Sequence, residues 1–194
     1  APAMLSSQLA ESILPQLPVD RMVGIGCVGA GFIMADCQLV AYRQHGLNPV
    51  AITSRSRATA SAVAARHNIT SVVDSVEQIV AHPEVQILDI AVPPDCQANM
   101  IRRAVRSPNR LRAILAQKPL GVDYREALEL VRLCQDTGIV LAVNQNMRFD
   151  QSVRVCRELI TTGSLGTPVL ATIDMRAIPH WMPWQERQGW VTLR

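Results

Sequence analysis

Five short apolar runs and one shorter candidate (71–73), separated by helical stretches, set the strongest constraint on this chain. They lie at 22–28, 49–53, 71–73, 86–92, 112–116 and 139–143 and are rich in Val, Ile, Leu and Ala. They do not alternate cleanly with polar residues, the pattern of central strands buried on both faces. Between them the helix signals are local. Ser56 stands where its hydroxyl can cap a helix over 57–67, and Ser75 with Gln78 has the spacing of a capping box. Beyond Asp123, Glu126 follows at three residues. Ala127, Leu130, Val131 and Cys134 then share one face, and Gly138 stops the run. The scheme repeats from Asp150 to Thr162, with Val153, Cys156 and Ile160 in line and Gly163 after the end. With right-handed crossovers, the simplest fold is α/β: a doubly wound, Rossmann-type parallel sheet.

The alternating part spans 22–149. Residues 1–21 read as an N-terminal extension, and 150–194 as the start of a second, α+β domain. Gly166, Thr167 and Pro168 lead into a strand-like run at 169–177, and Trp181, Trp184 and Trp190 all fall in the last 14 residues. The chain then stops at Arg194 with no obvious ending signal, so the second domain is expected to be truncated.

Composition narrows the function classes. The 194 residues suffice for one α/β domain and part of another. Hydrophobic residues make up 48% and charged residues 18%, so a packed core is expected rather than disorder. A net charge of +3 from scattered residues argues against nucleic acid or an anionic membrane as partner. No apolar run approaches the roughly 18 residues of a membrane span, and the opening segment lacks the regions of a secretory signal. Cysteines 27, 37, 96, 134 and 156 form no C-x-x-C pair, which argues against a disulfide framework and a zinc site. Most are expected to be small buried side chains in a reducing, cytoplasmic compartment.

The first run leads into VGIGCVGAGFIM, which holds two overlapping fingerprints. Gly24, Gly26 and Gly29 match G-x-G-x-x-G by letter; Gly29 and Gly31 match with Met34 replacing the third glycine. The second is favoured, because the apolar strand must finish before the tight turn. Gly29 then makes the turn, and Gly31 lets the backbone approach a pyrophosphate at the start of the helix near Phe32 and Ile33. At the end of the second strand, a carboxylate would accept hydrogen bonds from the ribose 2′-hydroxyl. The chain instead has Ser54, Arg55 and Arg57, a set that suits a 2′-phosphate. NADP is therefore favoured over NAD.

Two further segments follow strands and should border the nicotinamide half of a dinucleotide: Pro93 with Pro94, and Gln117, Lys118 and Pro119. With GAGFI at 29–33, NQNMRF at 144–149 and the glycine–proline turn from Gly163 to Val169, they give the chain its likeness to a family. From about residue 22 onward it resembles the glucose–fructose oxidoreductase, inositol dehydrogenase and rhizopine catabolism (Gfo/Idh/MocA) oxidoreductases. The resemblance implies NAD(P)-dependent hydride transfer with a secondary alcohol or ketone of a sugar, cyclitol or related polyol. It makes Lys118 the catalytic-site lysine and places Pro93, Pro94, Gln97 and Gln117 beside the cofactor. Two departures stand out: Gln117 replaces the usual Glu before the lysine, and Gln97 replaces a frequent His after the proline turn. By the same resemblance Asn146 and Arg148 line the interdomain cleft, a second catalytic group lies beyond residue 194, and the full-length protein forms homo-oligomers. Asp174, Arg176, His180 and Trp184 are candidate substrate contacts, with an aromatic-rich structural loop as the competing reading. His45, His67 and His82 sit near expected helix ends without ligand-spaced partners, so metal binding is not expected.

Two other classes compete. A non-catalytic dinucleotide-binding sensor would share the fold. An S-adenosylmethionine methyltransferase would share the glycine turn, but it favours an acidic residue where Ser54 and Arg55 stand.

Overall fold

The computed structural model describes residues 11–108 and 110–174. Its strands are β1 (Gly24–Val28), β2 (Asn48–Thr53), β3 (Ser71–Val72), β4 (Val85–Ile90), β5 (Ala113–Gln117) and β6 (Val140–Asn144). They form one parallel sheet in the order β3-β2-β1-β4-β5-β6. That order is the doubly wound arrangement, with its reversal between β1 and β4. The first crossover begins in π geometry at Ile33–Gln38 and continues as α1 (Leu39–Gln44). The remaining helices are α2 (Arg57–His67), α3 (Val76–Val80), α4 (Pro94–Arg106), α5 (Tyr124–Asp136) and α6 (Gln151–Thr161).

The helix starts follow the capping chemistry in the sequence. Ser56 accepts from the Thr59 amide at 3.3 Å, Asp123 from Glu126 at 2.8 Å and Asp150 from Ser152 at 2.9 Å. Ser75 accepts from the Gln78 amide, but the box does not close on itself: Gln78 reaches back to the Asp74 amide at 2.8 Å. Gly138 and Gly163 end α5 and α6 at φ values of 70° and 74°, where a side chain would be strained.

Two apolar layers cover the sheet. On one face Ile25, Cys27 and Ile52 meet Met34, Leu39, Val63 and Ala64 from the first crossover and α2. On the other, Val28, Leu88, Ile90 and Ile114 meet Ile79, Ile101 and Leu130 from α3, α4 and α5. Each fully buried Leu or Ile contributes about 1.5–3 kcal/mol through loss of water contact. Gly24 and Gly26 belong to this packing. A Cβ on Gly24 would stand 2.0 Å from the Glu84 carbonyl oxygen, and one on Gly26 would stand 2.4 Å from an Ile79 methyl.

Three expectations differ from the structure. The third and sixth runs are edge strands rather than central ones: among the described residues β3 pairs only with β2 and β6 only with β5, and Val140 is 63% exposed. Only Cys27 and Cys134 are buried, while Cys37, Cys96 and Cys156 lie on outward helix faces or ends. The strand-like run at 169–177 forms no strand over 169–174; Val169, Leu170 and Ile173 are exposed. Alternating apolarity makes a strand only when another strand supplies hydrogen bonds, and among the described residues none pairs with this run. Residues 175–177 lie outside the described residues.

Candidate active site

Parallel pairing brings the candidate residues to one edge of the sheet. Val28 is in register with both Thr53 and Ile90, Ile90 with Ala116, and Gln117 with Asn144. Gly29, Ser54, Pro93, Lys118 and Asn146 therefore all lie one to three residues beyond the same carboxyl-terminal edge. The ends of both strands that flank β1 are tied to it. The Gly29 amide donates to the Thr53 carbonyl at 2.8 Å, and the Ala91 amide donates to the Val28 carbonyl at 2.8 Å.

Of the two glycine fingerprints, the structure supports the second. Gly24 and Gly26 are interior residues of β1, whereas Gly29 makes the turn at φ 108°. A Cβ at Gly29 would lie 2.2 Å from the Ala91 carbonyl oxygen, so the position is closed to any other residue. A Cβ at Gly31 would meet no protein atom within 4 Å. The backbone there opens onto free space at the start of the first crossover, beside exposed Phe32 and Ile33. A bare, outward-facing backbone at a helix start fits a pyrophosphate.

Beyond β2, Ser54 is half-buried and Arg55 exposed. The two guanidinium groups separate in role. Arg57 is paired with Asp74 and also donates to the Val72 carbonyl at 3.4 Å, so it serves the β3 side of the fold. The charge of Arg55 counteracts the burial and the Asp95 carboxylate that raise the Cys96 thiol at the start of α4.

The Lys118 loop is held by hydrogen bonds from α4. Lys118 is exposed, and its bond to Pro119 is cis. Gln97, expected to touch a cofactor, is only 1% exposed and has a different task. Its amide nitrogen donates to the carbonyls of Gln117 at 2.7 Å, Pro119 at 2.9 Å and Leu120 at 3.2 Å, and its oxygen accepts from the Gln117 amide at 2.8 Å. Those bonds use its polar atoms on the lysine loop, so the site feels Gln97 through that backbone. The Gln117 side-chain nitrogen, by contrast, is a buried donor with no hydrogen-bond partner among the described residues. Ion pairs fix α4, which carries Gln97. Arg103 clasps Glu77 of α3 at 2.6 and 2.8 Å, and Arg102 reaches Glu126 and Glu129 of α5 at 3.3 and 2.7 Å. The Arg103 hydrogen bonds hold the Glu77 carboxyl down at about 2.

One signal in the composition was missed. Of the 19 Lys and Arg residues, 18 are Arg, and the single lysine is Lys118. A chain that uses guanidinium at every other cationic position keeps a compact ammonium with three rotatable donors at this strand end alone. Asn146 and Arg148 lie on a short 3-10 turn, Asn146–Phe149, directly after β6, and both are exposed at the same edge. Arg176, His180 and Trp184 lie outside the described residues. Among the described residues no group of His, Cys, Asp or Glu is placed to hold a metal ion, and no helix is long and apolar enough to cross a membrane.

Sequence reasoning also missed Asp89, an acid within β4. It is fully buried beneath the first crossover, where Gln38 donates to it at 2.9 Å and Tyr42 at 2.6 Å. Burial pushes its carboxyl up to about 7 against the two hydrogen bonds that favour ionisation, and the Tyr42 hydroxyl is raised in turn. The one trace in the sequence is an Asp inside an otherwise apolar run.

A glycine turn, a Lys-Pro loop and a proline turn on one edge of a doubly wound sheet define a dinucleotide-binding domain of the oxidoreductase class. The chain belongs to the Gfo/Idh/MocA family, described as an oxidoreductase family with an NAD-binding Rossmann fold, whose profile matches residues 23–145. It is 28% identical over 162 residues to 1,5-anhydro-D-fructose reductase of Ensifer adhaerens, covering 82% of this chain and 48% of that protein. It is 27% identical over 154 residues to inositol 2-dehydrogenase of Rhizobium meliloti, covering 79% and 45%. A solved structure of a proposed myo-inositol dehydrogenase from Sinorhizobium meliloti aligns with TM-score 0.65 and 27% identity, over 75% of this chain and 43% of that one. The chain thus spans about half the length of the curated relatives it matches.

Proposed function

We propose that this chain is the cofactor domain, with the start of the substrate domain, of an NAD(P)-dependent oxidoreductase acting on a secondary alcohol or ketone of a sugar, cyclitol or related polyol. The observation that carries the reading is the placement of the only lysine at the carboxyl edge shared with Gly29 and Gly31. A bound dinucleotide supplies or accepts the hydride. The Gly29 turn and the Gly31 backbone receive its pyrophosphate, and Pro93, Pro94 and Gln117 border its nicotinamide end. Ser54 and Arg55 form the ribose side and favour a 2′-phosphate, hence NADP. Lys118 Nζ donates a hydrogen bond to the reacting oxygen. It thereby stabilises the negative charge that develops as the hydroxyl loses its proton, or holds the ketone for reduction. Asn146 and Arg148 orient the substrate hydroxyls, with His180 and Trp184 as further candidates.

The test begins with titrations of the chain with NADPH, NADH and S-adenosylmethionine at fixed salt. NADPH binding stronger than NADH supports the reading, and binding of S-adenosylmethionine alone overturns it. Arg55→Asp is predicted to weaken NADPH by about 10–100-fold, the value of a charge-assisted contact, and NADH far less; equal losses would refute the 2′-phosphate assignment. In the full-length protein, Lys118→Met is predicted to lower polyol turnover by about 10²–10⁴-fold with cofactor affinity nearly intact. Unchanged turnover would remove Lys118 from the reacting site, whereas a wild-type protein that binds the dinucleotide but turns over no polyol would point to a dinucleotide sensor instead.

A further inference from the structure

We propose that Gln97 is a positioning residue for Lys118: its single buried amide clamps the backbone on both sides of the lysine and so sets where the ammonium can reach. This rests on the oxidoreductase reading only for the use to which Lys118 is put; the clamp itself is a statement about the chain alone. The hydrogen bonds encircle the lysine. Gln97 accepts a hydrogen bond from the Gln117 amide at 2.8 Å and donates to the Gln117 and Pro119 carbonyls at 2.7 and 2.9 Å, with Leu120 at 3.2 Å. Residue 118 is thus the one residue of 117–120 whose backbone the Gln97 amide does not bind. It projects from a stretch anchored immediately before and after it.

The anchor is itself immobilised. Gln97 lies in the first turn of α4, next to fully buried Ala98 and one turn before Ile101, and α4 is joined by Arg102 and Arg103 to its neighbours on either side. A flexible four-carbon stem loses precision at every loose bond, so a rigid backbone at its root is the only part of its aim the protein can build in advance. The clamp needs a donor and an acceptor on one neutral side chain. An amide provides both; a carboxylate would set its oxygen against three carbonyls. A neutral imidazole, the group the family resemblance places here, also carries one donor and one acceptor.

The sole lysine gives a direct readout. With 13Cε-lysine incorporated, the chain shows one lysine side-chain resonance, and cooperative thermal melting reports the fold of each variant separately. Gln97→Ala is predicted to move that resonance to the position of an unstructured lysine and to abolish its response to NADPH, with NADPH affinity within about threefold of wild type. Gln97→His is predicted to restore both. Gln97→Asn, one methylene shorter but still an amide, gives the alanine pattern and covers the case in which Gln97→Ala does not fold. If folded Gln97→Asn or Gln97→Ala keeps the wild-type resonance and its response to NADPH, the positioning role is overturned while the cofactor reading stands. If the wild-type chain binds no dinucleotide, the cofactor reading fails, and the free-protein resonances still decide the clamp: a shift in Gln97→Asn reversed in Gln97→His supports it, and no shift overturns it.

Discussion

At the scale of single residues, burial decides what a polar side chain does. Gln97 and Asp89 are both inside the protein, but their solutions differ. Gln97 is neutral and fully matched to backbone groups. Asp89 accepts from two donors, but burial outweighs those hydrogen bonds and its carboxyl is held up at about 7 against an ordinary 3.8. The folded protein keeps the Asp89 proton through a pH window in which the unfolded chain has lost it. Stability from this group therefore falls as pH rises from about 4 to about 7 and levels off above, a change on the order of 4 kcal/mol. Asp89→Asn, which cannot ionise, is predicted to shrink the difference between urea unfolding free energies at pH 5 and pH 8. The same difference in both proteins would show that Asp89 does not titrate in this range.

At the scale of elements, the β1 turn separates two uses of glycine. Gly29 is needed by the fold: its φ of 108° and the Ala91 carbonyl 2.2 Å from a Cβ leave no room for a side chain. Gly29→Ala is predicted to cost about 2 kcal/mol or more in chemical denaturation. Gly31 has no such constraint, since a methyl there meets no protein atom. Gly31→Ala is predicted to leave stability within about 1 kcal/mol of wild type while weakening nicotinamide dinucleotide binding. Undiminished binding would remove Gly31 from the pyrophosphate site. Much of this element was legible in the sequence, because turn geometry and helix capping depend on residues a few positions apart. Ser56, Asp123, Asp150, Gly138 and Gly163 act as their spacing indicates. Arg57 does not, because its partner Asp74 is 17 residues away in sequence and meets it only once β2 and β3 pair.

At the scale of the whole molecule, order runs from the reversal point outward. β1 and β4 are buried on both faces between two apolar layers, whereas β6 is an edge strand and α6 exposes Val153 and Ile160. Amide hydrogen exchange is predicted to be slowest in β1 and β4 and fastest in β6 and α6. Equal protection across the sheet would mean that the β6 side is held as firmly as the centre.

The sequence by itself determined the six strands and most of the helix starts, the glycine that turns the chain after β1, and the strand ends at which the candidate residues stand. These follow from periodicity, capping and the sign of φ, which are local. Only the tertiary structure decided that Gln97 grips the lysine loop, that Asp89 is buried under the first crossover with Gln38 and Tyr42 as its donors, and that Arg57 is taken up by Asp74. Each depends on which groups the chain brings together across 17 to 51 residues and on how completely water is excluded there, and no window of neighbouring residues contains that information.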